Sequence, residues 1–177
     1  MRAPPPGRVQ VYVGKEGFTY LGIDKLVTND TVATIFLPAD SAMLNLVSSI
    51  GKQIRYDMFD MPNNVSLNVS KLHIIPGVAL KSTDLPVDKA VNATTLLGPK
   101  LKVFRAKNGT VTISVPGRKS GPNGPNVATV LEPDLPFNKA IVHIVDRVLM
   151  PPLEFVDKKT IMSLNVTYTG YEKSVDK

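Results

Sequence analysis

The stretch Ile141 to Pro152, IVHIVDRVLMPP, decides how the rest of the chain is interpreted. It is an apolar run that carries His143, Asp146 and Arg147 and ends in a double proline. A buried polar group without a hydrogen-bonding partner costs about 1–3 kcal/mol. Three polar side chains in such a run therefore need an explanation, which is catalysis, a binding surface or internal hydrogen bonds.

The composition of the whole chain favours a β-rich domain with an aliphatic core. Of 177 residues, 43% are apolar and only 6% are aromatic. Fifteen prolines and twelve glycines indicate many turns and few long helices. The absence of cysteine excludes disulfides, a thiolate nucleophile and a Cys-ligated metal. No apolar run reaches the ~18–20 residues that span a bilayer, so we expect no transmembrane segment.

The net charge of +6 comes from lysines and arginines that are scattered along the chain. They form no stripe interleaved with aromatic residues, so we expect a solvated basic surface and no nucleic-acid partner. Attraction to an acidic polysaccharide or to an anionic membrane surface remains open.

Asn-X-Ser/Thr triplets are more frequent than chance predicts, and such triplets accept N-glycans in secreted proteins. Their number indicates a secreted or cell-surface glycoprotein, although a chain rich in Asn, Val and Thr is the alternative. We expect the hairpin tip to be glycosylated first because it is exposed. The triplets begin at Asn29, Asn64, Asn68, Asn92, Asn108 and Asn165.

Local patterns predict several elements. A strand is predicted at Gln10–Val13 and a buried strand at Thr31–Leu37, before a helix over Met43–Ile50 that Asp40 or Ser41 caps. Asn108-Gly109 favours a tight type I′ hairpin, because both of its central residues need positive φ.

Two other segments are less regular. Val65–Leu72 fits helical and alternating periodicity equally well, and Ile54–Met61 is a candidate second helix. The run Ile141–Leu149 is predicted to be a strand.

Three segments, in this order, resemble the motifs of the fasciclin domain family. They are TIFLPADSAM at Thr34–Met43, LHIIPG at Leu72–Gly77, and NKAIVHIVDRVLMP at Asn138–Pro151. Leu72 stands where the family has a tyrosine, and the last motif lacks the glycine that often precedes it. The resemblance implies an α+β fold, a wedge-shaped β-sandwich with a cluster of short helices.

The resemblance also implies boundaries and roles. We expect a proline-rich linker over 1–10, the fasciclin domain over 11–153, and a tail over 154–177 that is an extra edge strand or a linker. It implies structural roles for Asp40, His73, His143 and Asp146. We expect His143, Asp146 and Arg147 to lie at the end of a sandwich strand and to make internal hydrogen bonds that fix its register.

Catalysis is not expected. His73 and His143 are the only histidines, and no nucleophile-elbow or zinc-protease spacing is present. We predict neither a catalytic residue nor a metal site. The family resemblance implies an extracellular role in cell adhesion or in matrix and cell-wall organisation, with cell-surface or matrix proteins, or polysaccharide, as partners.

One stretch resembles an acidic contact stretch of matrix members of the family. Glu132, Asp134 and Leu135 lie around Pro133 and predict a partner-binding loop, with an ordinary turn before a strand as the alternative. On this interpretation Asp134→Ala leaves melting nearly unchanged and weakens attachment, whereas Asp146→Ala destabilises the fold.

A second functional hypothesis is a hydrophobic ligand. Some similar algal proteins carry carotenoids, and a carotenoid would need an exposed apolar groove. Met adapts to irregular shapes, so Met43, Met58, Phe59 and Met61 are its candidate lining residues, with a role in the core as the alternative.

Overall fold

A computed structural model describes residues 7–49, 65–117, 120–121, 124–152 and 155. Within these ranges lie three α-helices, nine strands and the 3-10 helices Ile23–Lys25 and Ser82–Asp84. No helix among the described residues is long and apolar enough to cross a membrane. The helices are α1 (Tyr12–Tyr20), α2 (Asp40–Ser49) and α3 (Val65–Leu72). The strands are β1 (Ala33–Pro38), β2 (Ile74–Pro76), β3 (Ala90–Thr94), β4 (Lys100–Arg105), β5 (Val111–Ser114), β6 (Ser120–Gly121), β7 (Gly124–Pro125), β8 (Val127–Phe137) and β9 (Ala140–Val145).

Seven strands form one sheet in the order β2-β1-β9-β8-β5-β4-β3. The pairing of β1 with β9 is parallel and the other pairings are antiparallel. Strand β8 joins the two halves, because residues 127–129 pair with β5 and residues 130–137 pair with β9. The sheet curls, since Leu96 N, just beyond β3, donates to Ile74 O of β2 at 2.7 Å.

The main core lies between the two halves of this curled sheet. Phe36 and Val145 come from the β1–β9 half, and Leu101 and Ile113 come from the β4–β5 half. All four are at most 1% exposed. The mixed α and β content agrees with the predicted class, while the wedge shape stays a prediction.

The predicted strand at Gln10–Val13 is wrong, because α1 begins at Tyr12. The reason is a tertiary contact. Asp40 Oδ1 accepts from Val13 N at 2.9 Å, and Asp40 N donates to Gln10 O at 2.8 Å. The Asp40 carboxylate thus supplies the N-terminal acceptor of α1, where Val11 offers none. The Asp40 carboxylate therefore bonds to α1, whereas the sequence predicted that Asp40 or Ser41 would cap α2, the helix to which both belong.

The predicted hairpin is present between β4 and β5, but the type I′ turn is wrong. Of its two central residues only Gly109 has positive φ, at 87°. Gly109 N donates to Ala106 O at 2.9 Å, and Ala106 N donates to Thr110 O at 2.9 Å. The loop is longer than two residues, and a glycine with positive φ closes it, as in the three-residue hairpins.

Two further predictions concern the length of β9 and the type of element at Val65–Leu72. Strand β9 ends at Val145, so the predicted strand to Leu149 is four residues too long. The ambiguous segment Val65–Leu72 is helical. The candidate helix at Ile54–Met61 and the tail over 156–177 lie outside the described residues.

Candidate functional site

His143 lies at the centre of β9 and is 3% exposed. Its ring stacks on Phe36 of the neighbouring parallel strand, with centroids 5.4 Å apart. The Nε2 atom lies 2.8 Å from Leu80 O, and Nδ1 accepts from Asp134 N at 3.2 Å. These partners require a neutral ring with its proton on Nε2. Burial lowers the pKa of His143, while the bond to Leu80 and the charge of Asp134 oppose this.

Asp134 holds the bulged part of β8 against the 3-10 helix Ser82–Asp84. Its φ of 61° is in the left-handed region. Its carboxylate accepts from Ser82 N at 2.6 Å and also from the Ser82 hydroxyl, and lies 4.0 Å from His143 Nδ1. Partial burial raises the pKa of Asp134, but the two Ser82 bonds and favourable electrostatics with His143 and Lys81 leave it below its usual value.

The prediction that the acidic stretch is a loop before the last strand is wrong. It lies within β8, where the register with β9 shifts between Val130 and Glu132 and again between Glu132 and Leu135. Pro133 was the sequence signal for an irregular strand at this position, because proline inside a strand is confined to bulges and edges.

The three predicted contact residues differ in their exposure and in their internal contacts. Glu132 is half-buried, and its Oε1 accepts from Val9 N at 2.9 Å. Leu135 is half-buried and pairs with Val142. The Asp134 side chain keeps 30% exposure. The structure therefore brings the three together on β8, but both carboxylates already have internal donors.

His73 occupies the other buried histidine position and is 1% exposed. Its Nδ1 lies 2.7 Å from Val69 O, and its Nε2 accepts from Leu149 N at 3.0 Å. Burial lowers the pKa of His73 to about 4, although the bond to Val69 opposes this. The ring is therefore neutral at pH 7 and joins α3 to the segment that follows β9.

Asp146 continues the pairing of β8 with β9 by one residue. Its Oδ1 accepts from Thr129 N at 2.7 Å, while its backbone N donates to Thr129 O at 3.0 Å. Arg147 and Asp146 also line a cleft of about 420 Å³ with Asn45, Ser48 and Ser49 of α2.

Sequence reasoning missed two buried polar residues that bond to distant parts of the chain. Asn126 is 2% exposed, and its amide donates to Met150 O at 3.1 Å and accepts from Met150 N at 3.0 Å. Thr34 is 0% exposed, and its hydroxyl donates to Val78 O at 2.7 Å and accepts from Leu80 N at 2.9 Å. Neither residue stands in a pattern that would have signalled these bonds.

The glycan acceptors differ in accessibility. Asn29, Asn92 and Asn108 are exposed. Asn68 is half-buried, and its amide nitrogen donates to Phe155 O at 3.3 Å. Asn64 and Asn165 lie outside the described residues.

Among the residues that the structure describes, no group of three or more His, Cys, Asp or Glu side chains is placed to hold a metal ion.

A family model described as the fasciclin domain matches residues 19–151, a range that contains all three sequence motifs. The chain belongs to the fasciclin domain family. This family is generally non-enzymatic and is associated with adhesion. Both histidine-centred networks and Asp146 lie within the matched range.

A solved structure has a similar fold. It is a FAS1 domain pair from the insect cell adhesion molecule fasciclin I, with a TM-score of 0.51 at 17% identity. The match covers 77% of this chain and 42% of that one, so the chain spans less than half of its length. A comparison with curated proteins gives no significant match.

Proposed function

We propose that the protein is an extracellular, non-enzymatic adhesion domain that contacts matrix, cell-wall or cell-surface components. The observation that carries this proposal is the fasciclin domain match over residues 19–151. A second observation supports it. Each described histidine has both ring nitrogens in internal hydrogen bonds, so neither is available as a general base in its present state.

We also propose that the bulged part of β8 takes part in the partner contact. Leu131 is 45% exposed there, and Pro133 is exposed beside it. The side chains of Glu132, Asp134 and Leu135 are only partly exposed, so a partner would meet an apolar surface edged by carboxylates. A cationic partner group would have to compete with Ser82 for Asp134.

Secretion with N-glycans is part of the proposal, with Asn29, Asn92 and Asn108 as the preferred acceptors because they are exposed. Glycosidase treatment of the native protein should raise its electrophoretic mobility. Unchanged mobility would argue against secretion through a glycosylating pathway.

Attachment of cells or isolated matrix to surfaces coated with the full chain tests the proposed adhesion. Native protein should retain more cells or matrix than heat-unfolded protein coated at the same density. Equal retention by both would contradict the proposal, because adhesion by a folded domain must depend on the fold.

Carotenoid binding stays the alternative proposal. Met43 is half-buried and packs on the cluster of Ala42 and Leu46, whereas Met58, Phe59 and Met61 lie outside the described residues. A visible absorption band that co-purifies with the protein after mixing with carotenoid would favour this function over adhesion.

A further inference from the structure

The outer face of β3, β4 and β5 differs from the faces that pack into the core. Along these strands Leu101, Val103, Val111 and Ile113 are buried, while the residues between them face outwards. The register sets these outward residues side by side in rows across the strands. One row contains Asn92, Lys102 and Ser114, and another contains Phe104 and Thr112.

This face carries positive charge without compensation from its own strands. Lys100 and Lys102 are exposed, and none of the outward residues of β3, β4 or β5 is acidic. Asp88 precedes β3, and its carboxylate lies 3.5 Å from Lys107 Nζ. Two lysines at alternate positions of one strand are roughly 7 Å apart, because a strand rises about 3.3 Å per residue. A linear polymer with repeated negative charges would fit this spacing.

The other side chains of the face suit a sugar polymer. Thr94 is exposed, and Thr112 and Ser114 are half-buried, so hydroxyl groups are available to donate and accept hydrogen bonds. Phe104 is half-buried on the same face and belongs to none of the core clusters. An aromatic ring on a polar sheet surface offers an apolar plane to the face of a sugar ring. A lipid bilayer would favour exposed apolar side chains that insert, which these outward positions do not supply.

We propose that the outer face of β3–β5 binds a linear acidic polysaccharide, with Lys100 and Lys102 contacting its anionic groups and Phe104 contacting a sugar ring. The inference deepens the proposed adhesive function and rests on its extracellular location. It assigns a surface that is separate from the β8 bulge. Asn92 lies directly across from Lys102, so an N-glycan on Asn92 would cover part of the face.

The test uses the full chain produced in a bacterial host without N-glycans, and measures binding to polygalacturonate, dextran sulfate, neutral dextran and phosphatidylserine vesicles. The two anionic polymers should bind, more weakly as salt screens the charges, and neutral dextran should not. Lys100→Glu with Lys102→Glu should weaken binding about tenfold or more. Lys15→Glu with Lys25→Glu makes the same change in net charge at two exposed positions elsewhere and should weaken it by less than about twofold.

Equal weakening by the two double variants would overturn the proposal, since it would show a response to net charge alone. Equal binding of neutral dextran, or binding only to phosphatidylserine vesicles, would overturn it as well. Both variants must first match the wild-type unfolding curve, which their exposed positions predict. The polymer test is independent of the attachment test. If the attachment test fails while polymer binding depends on Lys100 and Lys102, the proposed adhesion is contradicted and this site is not. If attachment is retained while polymer binding does not depend on these lysines, this site is contradicted and the proposed adhesion is not.

The Asn92 glycan gives a second readout. In protein secreted with glycans, Asn92→Gln should strengthen binding to polygalacturonate, whereas Asn108→Gln at the hairpin tip should not. Equal effects of the two substitutions would contradict the assigned face.

Discussion

The two histidines occupy comparable positions and differ in what surrounds them. Both are almost fully buried, and each ring makes two hydrogen bonds that need a neutral ring. His73 joins α3 to Leu149 through hydrogen bonds to backbone atoms. His143 instead lies beneath the β8 bulge, 4.0 Å from the Asp134 carboxylate. The first region is therefore wholly scaffold, whereas the second connects the scaffold to a partly exposed surface.

This difference predicts that substitutions around His73 affect folding alone, while those around Asp134 affect folding and contacts together. Substitutions around the two histidines thus have different consequences, because His143 has a charged neighbour, Asp134, that is accessible to solvent.

The largest effect is expected for His73→Ala. The change leaves Val69 O and Leu149 N without a partner in the core and removes a buried ring. We expect a loss of about 3–5 kcal/mol in the free energy of unfolding, against ~5–15 kcal/mol for a typical domain. Urea unfolding at pH 7 measures it. Lys107→Ala at an exposed salt bridge is the control and should change stability by less than about 0.5 kcal/mol. Equal losses for both variants would contradict the scaffold role.

Acid should weaken the fold through the same residue. The pKa of His73 is about 4 in the folded chain against an ordinary value of 6.5, so the unfolded chain binds more protons between these pH values. The neutral ring of His73 contributes about 3 kcal/mol to the free energy of unfolding above pH 6.5, and this contribution is lost as the pH is lowered to 4.

Urea unfolding at pH 7, 6, 5 and 4 measures this loss. His143 adds to the loss in the same direction, because burial lowers its pKa as well, whereas Asp134 contributes in a lower window, because its pKa is below 3.8. A stability that is flat between pH 6.5 and 4 would contradict the neutral buried ring of His73.

Asp134→Ala sharpens the comparison from the other region. We expect a loss of about 2 kcal/mol, because Ser82 N and the Ser82 hydroxyl lose an ionised acceptor. This replaces the sequence-based expectation of unchanged melting, which treated the carboxylate as part of a loop. Attachment should weaken as well, if the bulge meets the partner.

Asp134→Asn keeps one acceptor oxygen and should recover part of the stability. Thermal unfolding of the two variants therefore separates the hydrogen bonds of Asp134 from its charge. Melting of Asp134→Ala at the wild-type temperature would contradict the contacts with Ser82.

Sequence alone predicted the family, the hairpin, the helix after β1 and most of β9, because each depends on local pattern or on a motif. It missed α1, because the acceptor for Val13 N comes from Asp40, which is 27 residues away. It missed the β8 bulge, because the register shifts depend on pairing with β9. The contacts of Asn126 and Thr34 were likewise out of reach, because non-local bonds leave no local pattern.

The central claim is that the polar residues of the last motif stabilise the fold and are not the contact surface. The most direct test measures thermal unfolding and attachment together for Asp146→Ala, beside wild type. Thr129 N would lose its acceptor, so we expect a loss of about 1–2 kcal/mol, with attachment retained at temperatures where the variant is folded. A variant that melts like wild type but no longer attaches would contradict the account.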